Sequence, residues 1–178
     1  GIYPASSKNE SVNVEGNEFN FPRQLVDKGF DKINYSLADF ISPGQDWIGM
    51  FAVTTGKGIE DVISEFEKDH DDYKIIMIKA IADRLAEAFA EKLHQMIRVD
   101  YWGYSTEKNI SIEQLIKEKY NGIRPAPGYP ACPSHEEKDK IWEILDVGKE
   151  VGITLTESRA MYPAASVSGW YFSHPNSV

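Results

Sequence analysis

Apolar residues recur at three- and four-residue steps in the middle of the chain, from Asp72 to about Arg98. Residues at these steps lie on one face of an α-helix, so the spacing predicts a long helix that packs one stripe of side chains against a core. The predicted core stripe consists of Ile78, Ala82, Leu85, Phe89, Leu93 and Met96.

A neighbouring stripe of the same predicted helix is polar and contains Asp83, Glu87, Glu91 and His94. This spacing places two glutamates on one side of the helix. Acidic stripes are usually solvated, and we expect this one to be, with His94 at the surface rather than acting as a ligand. The alternative is that the stripe lines a site for a cationic ligand.

The rest of the pattern mixes short strands with short helices. Predicted strands cover residues 47–53, 153–156 and 168–173, short strands or loop cover residues 5–30, and predicted helices cover residues 58–66, 111–121 and 134–148. The last two helices begin at the capping-box pairs Ser111/Gln114 and Ser134/Glu137. Because β-α-β alternation is absent from this order, it favours an α+β fold with a largely antiparallel sheet over a doubly wound one.

Length and net charge limit the classes of protein to which this chain can belong. A chain of 178 residues suits one domain, and 19 basic against 28 acidic residues give a net charge of −9. Acidic chains are poor partners for a polyanion, so nucleic acid is not an expected partner. The sequence has no apolar run near the roughly 20 residues that span a bilayer, so a membrane is not expected either.

Cysteine usage and the chain ends suggest the setting of the protein. Cys132 is the only cysteine, which excludes an intrachain disulfide and a cysteine-rich zinc site and favours the reducing cytoplasm. The chain lacks an initiator methionine and stops just after a strand-like aromatic run. We therefore expect residues 1–178 to be a single domain truncated at both ends.

The segment of residues 122–133 is rich in proline, with prolines at positions 125, 127, 130 and 133. Proline fixes its own φ, disfavours helix in the residue before it and removes backbone donors. The sequence therefore predicts a stiff, non-helical ribbon whose remaining backbone groups must find partners elsewhere, in water, in neighbouring protein or in a ligand.

Three residues of this ribbon suggest recognition of an amino-acid-like ligand with a flat or cationic part. Arg124 offers a planar donor fork for a carboxylate, Gly128 permits close approach to the main chain, and Tyr129 brings an aromatic face. The competing interpretation is a connector between two helices with Arg124 in a structural salt bridge. The residues alone leave both open.

The ribbon, read as Arg-Pro-Ala-Pro-Gly-Tyr-Pro-Ala-Cys-Pro and followed by His135, resembles the hallmark of the activation domain of cobalamin-dependent methionine synthase. Further segments resemble the same family in order and spacing, namely residues 71–73, 82–91, 101–104, 155–158 and 165–175. The resemblance covers residues 1–6 and most of the chain from about Asn34 onward.

This resemblance implies a C-shaped α+β domain with a central, largely antiparallel sheet flanked by helices, and a site for S-adenosylmethionine. It implies that Arg124 and the main chain around Ala126 and Gly128 hold the ligand, with Tyr129 beside it. Glu87 and Glu118 fall at acidic positions expected to contact its amino end.

The resemblance also implies a role in reactivation. When the cobalamin held by a neighbouring domain reaches the cobalt(II) state, the family presents S-adenosylmethionine while a flavodoxin-type reductase supplies an electron, and methyl transfer restores methylcobalamin. The expected parent enzyme is the 5-methyltetrahydrofolate–homocysteine methyltransferase, and the segment alone is not expected to be catalytic. Side-chain acid–base chemistry is little needed, because the domain's task is to position the reactants.

Departures from the family pattern concern the surface that would face cobalamin and the completeness of the site. Ser134 stands in place of an acidic residue, Glu136 in place of threonine, and Arg159 and Tyr162 in place of phenylalanine and tryptophan. Residues 8–24 look shorter than usual, and the family's early Asp-Trp segment and later tyrosine pair lie outside this chain. The resemblance thus implies weakened or absent ligand binding by residues 1–178 alone.

Four other interpretations compete. A doubly wound S-adenosylmethionine methyltransferase lacks support because the chain has no glycine-rich loop between a strand and a helix. A divalent-cation site in residues 65–72 is disfavoured because such charge runs are usually solvated. Cys132 with His135 is read as a structural thiol rather than half of a zinc site or a nucleophile. The fourth is a docking module for a flavodoxin-type reductase that binds no small molecule.

Overall fold

A five-stranded antiparallel sheet forms the centre of the protein in the computed structural model, which describes residues 1–25, 33–108 and 110–177. Its strands are β1 (Ile2–Lys8), β2 (Ser11–Val14), β3 (Asn17–Asn20), β4 (Asp46–Thr54) and β7 (Ser166–Tyr171), in the order β3-β2-β1-β4-β7. A separate two-stranded sheet pairs β5 (Thr154–Leu155) with β6 (Met161–Tyr162).

Strand β4 is buried between two antiparallel neighbours. Its Gly49 pairs with Ile2 of β1 on one side and with Tyr171 of β7 on the other, and the β7 pairing continues to Thr54 and Ser166. Successive side chains of a strand point to opposite faces of the sheet. Apolar residues of β4 therefore pack against other buried side chains on both faces. Residues 47–53 were predicted to be a buried strand, and this prediction is confirmed.

One face of the sheet carries an aromatic core. Trp170 of β7 makes edge contacts with Phe19 and Phe21 at centroid distances of 5.6 and 5.0 Å, and Phe21 meets Phe172 at 5.9 Å. All four rings are fully buried. Edge-to-face pairs of this kind stabilise a fold beyond the contribution of the area they bury. The aromatic core therefore holds the C-terminal end of β7 in place.

The helices lie around this sheet. They are α1 (Ile59–Lys68), α2 (Asp72–Met96), α3 (Ile112–Ile116), α4 (Glu137–Leu145) and α5 (Val147–Glu150), with a 3-10 turn at Leu37–Phe40 and a π-helical turn at Ile97–Tyr101 after α2. None of the helices in the described ranges is both long and apolar enough to cross a membrane.

The long helix α2 is confirmed, but its predicted core face is only partly right, since Ala82 is buried and Leu93 packs against the core whereas Leu85 and Phe89 do not. The buried residues are Ala82, Ala86, Ala90 and His94, whereas Leu85 and Phe89 are 55% and 46% exposed. The helix packs toward β4 and β7, and Ala90 of this stripe lies in a cluster with Phe51, Val53 and Tyr171. A stripe of small residues lets the helix backbone approach the sheet closely, and a pattern that counts large apolar residues does not detect it.

His94 was expected at the surface, and this prediction is wrong. The side chain is completely buried, with its ring stacked on Tyr171 at 5.1 Å between centroids. It continues the alanine stripe, since Ala82, Ala86, Ala90 and His94 stand at four-residue steps.

Most of the shorter elements follow the sequence prediction with shifted ends. The capping box of Ser111 and Gln114 is present, but α3 ends at Ile116. The predicted capping box of Ser134 and Glu137 is wrong, because the Ser134 hydroxyl accepts from the Glu136 amide and α4 begins at Glu137 without a side-chain cap. Asp146 at φ 48° separates α4 from α5. Strand β6 was not predicted. The α+β class with an antiparallel sheet is confirmed.

Substitution of Ala90 tests the close approach of α2. We expect Ala90→Leu to lower the free energy of unfolding by about 1–3 kcal/mol, because the added side chain overpacks a fully buried position. Ala88→Leu, on the exposed side of the same helix, is the control and should change it by less than about 0.5 kcal/mol. Equal effects in urea denaturation of the two variants would contradict this packing.

Candidate functional site

A cleft of about 450 Å³ lies where the proline-rich ribbon meets α2, β4 and β7. This is within the range of small-molecule sites, roughly 300–1,000 Å³. Its wall consists of Phe51, Glu87, Glu118, Tyr120, Gly122, Ile123, Arg124, Pro125, Ala126, Tyr129, Val167 and Ser168.

The ribbon is fixed by hydrogen bonds to the end of β7. The Ile123 amide donates to the Phe172 carbonyl and the Phe172 amide to the Ile123 carbonyl, each at 3.1 Å, and the Trp170 amide donates to the Pro125 carbonyl at 3.0 Å. A side chain at position 169 would collide with the Pro125 carbonyl oxygen, which explains the glycine found there. The ribbon thus continues the sheet beyond its edge.

Between these contacts and the next turn, the main chain of Ala126 is open to the cleft. Within the described residues, neither its amide nor its carbonyl makes a hydrogen bond, and the residue lines the cavity. Backbone groups of this kind need an outside partner. The expectation of a backbone available for recognition therefore agrees with the geometry at this residue.

A tight turn follows at Gly128. Its φ of 95° lies in the left-handed region, its amide donates to the Cys132 carbonyl at 2.8 Å, and a Cβ there would collide with His135. Gly128 does not itself line the cleft, so its geometry indicates a turn-forming role that places Tyr129 at the rim.

Cys132 lies behind this turn, fully buried, and burial raises the pKa of its thiol to about 12. A thiol kept protonated in this way is a poor nucleophile and a poor metal ligand, which agrees with the structural interpretation. Among the residues that the structure describes, no group of three or more His, Cys, Asp or Glu side chains could hold a metal ion.

Arg124 is both ion-paired and part of the cleft wall. Its Nη1 donates to Glu91 Oε2 at 2.5 Å and to Tyr120 Oη at 3.2 Å, and Tyr120 Oη donates to the same carboxylate oxygen at 3.1 Å. Burial lowers the pKa of Arg124, but the Glu91 carboxylate and the Tyr120 phenol more than offset it, so the net shift is upward. The sequence left a structural salt bridge at Arg124 and a segment open to a ligand as alternatives. The structure has both the salt bridge and an open cleft.

The two predicted acidic residues reach the same cleft from different elements. Glu87 lies on α2 one turn before Glu91, and Glu118 follows α3 with a left-handed φ of 48°. Both are exposed, as is Tyr129 at 65%. The cleft therefore has a cationic wall at Arg124 and two anionic walls, and five of the six predicted site residues line it.

Several parts of the wall were not predicted from the sequence. Phe51 comes from a strand predicted for the core, Val167 and Ser168 come from β7, and Tyr120 falls at the end of a predicted helix. No local signal marks these residues, because only the three-dimensional packing of distant segments brings them to the cleft.

The whole chain, residues 1–178, matches the profile of one protein family, described as vitamin B12-dependent methionine synthase, activation domain. The chain belongs to this family. The identification rests on the entire length rather than on the ribbon alone.

A solved structure agrees with the assignment to the activation-domain family. A crystal structure of the MetH reactivation domain bound to AdoHcy superimposes with a TM-score of 0.94 at 51% sequence identity. The match covers 100% of this chain and 58% of that one, so residues 1–178 span little more than half the length of the related chain.

A buried polar layer of this activation domain lies behind Arg124. Arg98 is 1% exposed and stacks on the Tyr120 ring at 3.6 Å, and His94 Nε2 lies 3.4 Å from Tyr104 Oη. Burial lowers the pKa of His94 to about 3, and the nearby guanidinium groups of Arg98 and Arg124 act in the same direction. His94 is therefore neutral at physiological pH.

The neutral His94 predicts a pH dependence of stability. Its pKa is about 3 in the folded protein, against the ordinary value of 6.5 that applies to the unfolded chain. The unfolded chain therefore binds the extra proton between these values, and stability falls as the pH drops below 6.5. Between pH 6.5 and 5, the free energy of unfolding of the unmodified chain should fall by about 1.5 kcal/mol more than that of His94→Gln.

Denaturant unfolding at several pH values measures this difference. His70→Gln, at an exposed position, is the matched control and should keep the slope of the unmodified chain. A pH slope unchanged in His94→Gln would show that this histidine is protonated equally in both states.

Proposed function

We propose that the cleft binds S-adenosylmethionine for reactivation of a cobalamin-dependent methionine synthase. The observation that carries the proposal is the arrangement of charge around one cavity, with Arg124 on one wall and Glu87 and Glu118 on the others. S-adenosylmethionine carries the complementary groups: a carboxylate, an ammonium and a sulfonium.

The charges suggest how each end of the ligand is held. A carboxylate suits the guanidinium of Arg124, since arginine forms charge-assisted pairs with carboxylates. The ammonium and sulfonium suit Glu87 and Glu118, and the adenine suits the open main chain at Ala126 and the ring of Tyr129. Gly128 supports the turn that carries Tyr129. The AdoHcy bound by the related reactivation domain is the product that remains after methyl transfer, which supports this ligand class.

In the parent enzyme this domain would present the methyl group to a cobalamin held by a neighbouring domain. That cobalamin would supply the cobalt that accepts the methyl group, and a flavodoxin-type reductase in the cytoplasm would supply the electron that reduces it. The residues of this chain bind and orient the ligand and take no proton in the transfer. Positioning of this kind is a recognised source of rate enhancement, and we propose that it is the domain's contribution to the methyltransferase.

Calorimetric titration with S-adenosylmethionine tests the proposal. Arg124→Ala should weaken binding about 10- to 100-fold, because it removes a charge-assisted pair with the carboxylate. Arg23→Ala is the matched control: Arg23 is likewise ion-paired at 2.5 Å, to Asp39, but lies outside the cleft, and its loss should leave the affinity unchanged.

The titration is carried out on residues 1–178 and on a longer form of the protein, because the related chain is longer than this one. Binding in the longer form that persists in Arg124→Ala would overturn the assigned role of Arg124. Absence of heat in both forms would instead favour the docking module that recognises a reductase without a small molecule.

A further inference from the structure

Glu91 contacts Arg124 from behind the cleft and does not itself line the cavity. One oxygen, Oε2, accepts from both Arg124 Nη1 and Tyr120 Oη. The other, Oε1, is buried without a hydrogen-bond partner among the described residues and lies 4.0 Å from Arg98 Nη2. The carboxylate thus stands between two guanidinium groups.

We propose that Glu91 is a positioning residue that orients Arg124 toward the carboxylate end of the ligand. The inference rests on the proposed function, because it assigns a role to Glu91 only if the cleft binds a carboxylate. Glu91 anchors the guanidinium through Nη1 alone, and within the described residues Nε and Nη2 of Arg124 make no hydrogen bond. These donors remain for a ligand.

The charges around Glu91 are a second argument that it controls the position of the Arg124 side chain. Arg98 is 1% exposed, and its Nε, Nη1 and Nη2 have no hydrogen-bond partner within the described part of the chain. With Glu91 present, two cations share one anion, which leaves an excess positive charge for the ligand carboxylate. Without it, the two guanidinium groups repel each other, and the partly exposed Arg124 is the one free to swing away.

Two effects of Glu91 on ligand binding oppose each other. Its negative charge weakens the attraction of Arg124 for a carboxylate, whereas its hydrogen bond removes the rotamer freedom that Arg124 would otherwise lose on binding. We expect orientation to outweigh charge. Glu91→Ala should then weaken S-adenosylmethionine binding on the order of tenfold, and Glu91→Gln, which keeps an acceptor oxygen, should recover part of the loss.

The deciding experiment compares S-adenosylmethionine with its decarboxylated analogue by calorimetry. The analogue keeps the adenosine, the sulfonium and the ammonium, so a residue that acts through Arg124 should affect it less than about twofold. In the Arg124→Ala background, Glu91→Ala should have no further effect on either ligand. Glu113→Ala, at an exposed ion-paired glutamate of α3, is the control.

Each outcome has one meaning. If Glu91→Ala weakens the binding of both ligands equally, Glu91 has a structural role only. If both Glu91 variants bind more tightly, the effect of charge outweighs that of orientation. Either result overturns the inference, whereas binding by the unmodified protein still supports the proposed function. If neither residues 1–178 nor the longer form binds either ligand, the proposed function fails and the inference with it. Urea denaturation of both Glu91 variants tests whether the fold is retained, and we expect it to be in Glu91→Gln.

Discussion

The hydrogen bonds between the proline-rich ribbon and the end of β7 are the constraint on which the cleft depends. Prolines remove four of the ribbon's twelve amide donors, so fewer hydrogen bonds are available to hold it. Those at Ile123 and Pro125 attach it to Phe172 and Trp170, whose side chains lie in the aromatic core. A stiff segment on a rigid strand can present an open main chain at Ala126 without collapsing into regular structure.

The alanine face of α2 is the second condition for this site. Because Ala82, Ala86 and Ala90 allow the helix to lie close to the sheet, the following turn of the helix delivers His94 and Arg98 into the interior. Burial of an ion is costly unless it is compensated. Here Glu91 and the face of the Tyr120 ring compensate Arg98, and the same two residues hold Arg124.

The sequence predicted the parts of this structure that have local signals. The length of α2, the buried strand at residues 47–53 and the extended ribbon follow from periodicity, from an apolar run and from proline. Four of the six predicted site residues came from the ribbon together with the family resemblance, Glu87 and Glu118 came from the resemblance alone, and five of the six line one cleft. Local pattern and motif were sufficient there because the ribbon is short and its chemistry is contained in adjacent residues.

What the sequence could not predict are contacts between segments that are distant along the chain. The pairing of Glu91 with Arg124 joins residues 33 positions apart, and nothing in either neighbourhood indicates it. The stripe on α2 was assigned by residue size, whereas the packing selected small side chains and a neutral histidine. In the structure, Glu91 of the polar stripe is therefore neither fully solvated, as expected for that stripe, nor part of the cleft wall. It holds the guanidinium of Arg124 in place. Under the proposed function, an acidic protein presents this oriented guanidinium to a zwitterion.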